Sequence, residues 1–152
     1  MTSRKRFADV VAAIDAQIGH PDMHAFGAAM TAAKTPEEMR KVVDGATSSI
    51  GLMEFARFDL GMVLRTDMGE RAPKVVRIVA GNPLVMKEMV KHVHDAGSYA
   101  PVTILVDERN GGVRVSYDTM ESFLAGYANE DALGVARELD AKVEKMIKGA
   151  VE

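Results

Sequence analysis

Two of the four histidines in this 152-residue chain, His92 and His94, stand close to Met86, Met89 and Tyr99 in one stretch, residues 79–109. An imidazole nitrogen can ligate a metal or move a proton, a thioether is a soft ligand, and a phenol donates a hydrogen bond. The spacing predicts a helix on which Met86, Met89, Val90 and Val93 form the buried stripe, with His92 at one edge near Val85 and Met89 and His94 at the other beside Val90. From such an edge an imidazole can turn one nitrogen into an apolar slot while the other meets a carbonyl or carboxylate. The same positions also suit solvent-facing or hydrogen-bonded histidines at a helix C-terminus, where positive charge is favoured. Tyr99 is either the cap of a pocket or a half-buried loop aromatic.

Other candidates are weaker. His20 and His24 have the four-residue spacing of helical metal ligands, but Gly19 and Pro21 take His20 out of regular helix and no third ligand is in view. Met62, Met68, Met86, Met89 and Met120 suit either a cofactor pocket or core and interface packing. Ser98, Ser116, Asp95, Asp107 and Glu108 flank the central stretch without a nucleophile elbow, an HExxH pair or a nucleotide-binding glycine pattern. Gly81-Asn82-Pro83 exposes a helix N-terminus to an anion, though proline removes one donor.

Composition narrows the choices further. The absence of cysteine excludes disulfides, thiolate metal sites, iron–sulfur clusters and cysteine nucleophiles. A net charge of -3 argues against a nucleic-acid partner, which needs a clustered basic face. No apolar run has the length of a membrane span, and Asp9 and Asp15 interrupt the segment where a signal peptide would be apolar, so the expectation is a cytoplasmic protein with no membrane partner.

The elements that must position these residues are readable in order. Phe7, Val10, Val11, Ile14 and Ile18 predict a first helix, and Asp22 caps a second through Met23, Phe26 and Met30. Thr35-Pro36-Glu37-Glu38 is a capping box for a third. Leu52 to Leu64 reads as a strand with a break at Gly61, and Thr66 to Pro73 as a polar loop. Lys74 to Val79 is a second strand, and Asn82 with Pro83 starts the central helix. Val102 to Asp107 and Val113 to Tyr117 form a hairpin around Asn110-Gly111-Gly112. Asp118 caps a short helix, and a last one starting at Asn129 or Asp131 carries Leu133, Ala136, Leu139, Val143, Met146 and Ile147 on one stripe. Neighbouring strands, one clear hairpin and no sustained βαβ alternation predict an α+β two-layer sandwich, helices packed on a small, largely antiparallel sheet. Residues 1–34 are expected as an N-terminal helical extension of a single α+β domain over 35–152.

The segment from about Phe55 to Ile147 resembles the family called domain of unknown function 302. The resemblance rests on Val76-Arg77-Ile78-Val79-Ala80-Gly81-Asn82-Pro83, on Tyr99-Ala100-Pro101-Val102-Thr103-Ile104-Leu105-Val106, on the hairpin that follows and on Leu139-Asp140-Ala141-Lys142-Val143-Glu144. It implies an α+β homodimer. It further implies b-type haem at or near a dimer interface, a role that falls on His92 as axial metal ligand, with His94 as substitute; the residues beside it that suit a pocket lining are Met86, Met89 and Tyr99. Gas sensing, redox and electron transfer are then all open to such a haem. The other reading is a cofactor-free structural or regulatory dimer, with a methionine-rich face including Met89 as the subunit interface.

Overall fold

β-Branched side chains alternating along three segments set the sheet. In the computed structural model, which describes residues 1–152, Val75–Gly81 (β3), Val102–Arg109 (β4) and Gly112–Tyr117 (β5) run antiparallel. Met53–Asp59 (β2) adds to β3, and Thr2–Ser3 (β1) adds to β5, giving the order β1-β5-β4-β3-β2. Only Asn110 and Gly111 separate β4 from β5, and Gly111, at φ 93°, takes the positive value that the tight turn demands. At Gly112 a side chain would run into the Ser3 carbonyl, so its hydrogen atom is what lets β1 close the edge.

One face of the sheet is the core. Ile78, Ile104, Val106 and Val115 point to it, and the helix Glu130–Val151 (α7) lays Leu133, Ala136, Leu139, Val143, Met146 and Ile147 into the same cluster of 24 buried residues. Helix α1 (Phe7–Asp15) contributes Val10 and Ile14 to that cluster, while α2 (Met23–Ala32) and α3 (Pro36–Ala46) form a smaller one around Phe26, Val43 and Met53. Arg57 on β2 reaches across to Asp15 of α1 and back to Glu54, fastening edge strand to helix. The fold is therefore α+β, with helices layered on one side of an antiparallel sheet. On the other face Val79, Thr103, Leu105 and Ser116 are only half-buried, and the Arg77 guanidinium lies 5.8 Å above the exposed Phe58 ring.

The caps behave as their chemistry requires. Asp22 accepts from the Ala25 amide at 2.7 Å, and both halves of the Thr35–Glu38 capping box are made. Asn129, not Asp131, caps α7 by accepting from Ala132. Thr119 rather than Asp118 caps the short helix Met120–Leu124 (α6).

Two expectations fail on the segment after β2. The strand stops at Asp59, and Leu60–Met68 is a helix (α4) followed by a 3-10 turn through Arg71, where a strand end and a polar loop were expected. Asp59 decides the switch: its carboxylate caps α4 by accepting from the Met62 amide at 3.0 Å and pairs with Arg65 at 2.9 Å.

Asp140 is the polar centre of the core. This carboxylate on α7 is buried, accepts from the Tyr117 hydroxyl, and receives the Met120 and Glu121 amides at 2.8 and 2.9 Å, so it ties β5 and the start of α6 to α7. Burial and the adjoining Asp140 charge hold the Tyr117 phenol well above its ordinary titration range. Replacing Asp140 by alanine strands three donors, the buried Met120 amide and the part-buried Tyr117 hydroxyl and Glu121 amide, and urea titration is expected to show a loss of about 3 kcal/mol. A loss below ~1 kcal/mol would mean that the carboxylate does not anchor α6.

Candidate functional site

The site is built where β3 hands over to the central helix, Pro83–Val90 (α5). Asn82 makes the junction rigid. Its Oδ1 accepts from the Leu84 and Val85 amides at 2.8 and 3.4 Å, its Nδ2 donates to the Gly51 carbonyl at 2.9 Å, and Pro83 has no N–H to leave unpaired. Gly81 is buried immediately before it. A Cβ at that position would lie 3.1 Å from the Pro101 ring and 3.7 Å from the Phe55 ring, so the glycine keeps space between β3 and the turn into β4.

That space is part of a cavity of about 170 Å³, lined chiefly by Met30, Phe55, Met86, Met89, Pro101 and Leu139. Met89 is wholly buried and Met86 partly so. No charged side chain lines it. Met30 from α2 and Leu139 from α7 entered no sequence reading of the site, because nothing local in the sequence links residues so far apart.

The four residues His92, Met86, Met89 and Tyr99 do not share one pocket of the chain. Met86 and Met89 face the cavity, whereas His92 and Tyr99 do not line it. Helix α5 ends at Val90, short of both histidines: the His92 amide donates to the Met89 carbonyl in the closing turn, and His94 opens a 3-10 turn running to Ser98. The His92 side chain is 31% exposed, and its Nδ1 lies 3.9 Å from the Asp131 carboxylate at the start of α7. His94 is exposed.

Tyr99 belongs to an aromatic cluster on the other side of the turn. Its ring stacks on Phe123, with centroids 4.8 Å apart and planes 4° from parallel, and its hydroxyl is 3.3 Å from that of Tyr127. The hydrogen bond between the Tyr127 and Tyr99 hydroxyls, reinforced by nearby Asp95, pushes the Tyr127 phenol above its usual range. Tyr99 and Phe123 border a second groove with Arg77, Val79 and Thr103.

The remaining polar candidates stay apart. His20 contacts the Asp15 carbonyl at 3.1 Å and lies 3.7 Å from Glu54, His24 is exposed on α2, and no three His, Asp or Glu side chains gather as a metal centre.

A family model described as domain of unknown function DUF302 matches residues 28–150. The chain belongs to this family. The match begins inside α2, well before the segment from Phe55 on which the sequence resemblance rested, so the second half of α2 and all of α3 fall within the matched part. Among solved structures, the chain is similar to the crystal structure of an uncharacterised conserved DUF302 protein from Bacillus stearothermophilus. The two share 7% identity with a TM-score of 0.68, covering 99% of this chain and 94% of that one. At that identity the likeness concerns the fold. No curated protein matches the sequence.

Proposed function

We propose that this DUF302 chain is a non-enzymatic structural or regulatory protein that works as a homodimer, joined through α4 and the adjoining open face of the sheet. The supporting observation is the apolar exposure of α4: Leu60, Met62, Val63, Leu64 and Met68 are 37 to 63% exposed, and Phe58 just before them is 47% exposed. No helix of the fold is long and apolar enough to cross a membrane, so a bilayer-spanning role for α4 does not explain this. Apolar surface concentrated in one place favours a protein partner, and a two-fold axis brings the same patch against itself.

Magnitudes indicate how far the patch extends. Covering the exposed half of six such side chains on each of two subunits gives roughly 12 kcal/mol, at roughly 1 kcal/mol apiece. Association costs roughly 4–15 kcal/mol, so α4 alone is marginal and half-buried Val79 and Leu105 on the open face are needed as well. Met89 is not part of this interface, because it is buried in the subunit's own core. The methionines that serve it are Met62 and Met68.

In analytical ultracentrifugation the protein is expected to sediment at twice its 16.4 kDa chain mass. The double variant Met62→Glu, Val63→Glu is expected to be monomeric with an unchanged circular dichroism spectrum. A wild-type protein monomeric at every concentration, or a variant that still pairs, overturns the proposal.

A second reading, b-type haem on His92, is favoured by one observation. The Asp131 carboxylate lies 3.9 Å from Nδ1 of His92, near enough that a small shift would let it orient the ring with Nε2 as the ligand atom. A haem held there lies outside the Met86–Met89 cavity and needs a second copy to cover it. Haemin titration is expected to give a saturable Soret band that His92→Ala removes; weak, unsaturable absorbance indifferent to that substitution rules the haem out.

A further inference from the structure

We infer that the cavity beside α5 is a binding site for a small, neutral, apolar molecule about the size of one aromatic ring, separate from any subunit interface. The pocket opens to solvent on one side and, at about 170 Å³, has room for several water molecules. Water has little to bond there. The one polar side chain on the lining, Asn82, already spends its oxygen on the Leu84 and Val85 amides and its nitrogen on the Gly51 carbonyl, and Pro83 and Pro101 carry no N–H. A sealed apolar cavity of roughly 150 Å³ accepts benzene, and this pocket has a comparable volume and apolar lining with one open side.

The same facts exclude other ligand classes. A charged group would be desolvated with no opposite charge on the wall, and a strongly polar one would lose its hydrogen bonds. Gly81 supplies the close approach that a flat molecule needs, since even a methyl group there would press on Pro101. Three of the eleven methionines, Met30, Met86 and Met89, meet at this wall, and thioethers are flexible and make favourable contacts with aromatic ring edges. Met30, Phe55 and Met86 are half-exposed and Pro101 is exposed, which gives the cavity its mouth, while buried Met89, Val102 and Leu139 close its floor.

The test uses the full chain labelled with 13C at the methionine methyl groups and titrated with toluene. Saturable shifts are expected at Met30, Met86 and Met89, with exposed Met1, Met23 and Met62 unmoved. Met30→Phe, a substitution at a half-exposed position that fills the mouth, is expected to weaken the response at Met86 and Met89 about tenfold or more. No shift, shifts at the exposed methionines alone, or a response indifferent to Met30→Phe overturns the inference. The monomerising pair Met62→Glu, Val63→Glu separates it from the pairing proposal: toluene binding is expected to survive there, and its loss with the dimer would show that the site belongs to the interface.

Discussion

A 22-residue helix with a continuous apolar stripe has to lie against something, and burial of α7 on the β-branched face of the sheet is what the rest of the structure accommodates. Because Leu133 to Ala150 cover Ile78, Ile104, Val106 and Val115 from one side, α1 and α5 pack beside α7 and the other face of the sheet is left open. The single buried carboxylate in that layer, Asp140, is tolerated because three donors meet it. Its placement fixes the height at which α6 begins and, through α6, where Phe123 presents its ring to Tyr99.

The candidate site follows from the same packing. Helix α5 is short, and its start is fixed by Asn82 rather than by a long apolar stripe, so a gap is left where α2, α5 and α7 approach the ends of β3 and β4. Apolar residues from distant parts of the chain line that gap. The histidines, one turn beyond the end of α5, lie on the surface instead. Two surfaces of different character result: an apolar pocket beside α5, and an apolar exterior on α4 and Phe58.

Most of the fold was legible because its signals are local. Capping at Asp22, Thr35, Asn82 and Asn129, the Asn110-Gly111 turn and the stripe of α7 each depend on residues within one element, and each forms as its pattern requires. What escaped was what depends on context. Thr2–Ser3 is too short to carry a pattern and is a strand only because β5 offers it an edge. Helix α4 was hidden because Leu60 to Leu64 are apolar enough for a buried strand; the deciding signal, Asp59 as a cap with Arg65 as its partner, is a helix start inside an apolar run. The site was half-legible. The buried stripe with Met86 and Met89 was evident from spacing, while Met30, Phe55 and Leu139 arrive through tertiary packing, and the end of α5 at Val90 moves both histidines off the helix.

The most direct test of pairing through α4 compares methionine methyl groups for relaxation by a soluble gadolinium chelate. In a single chain Met62 is 60% exposed, Met68 46% and Met23 37%, so a monomer is expected to relax fastest at Met62 and slowest at Met23. A second copy seated on α4 reverses it: Met62 and Met68 become shielded below Met23 at high protein concentration, and the original order returns on dilution. Met62 relaxing fastest at every concentration would contradict the account.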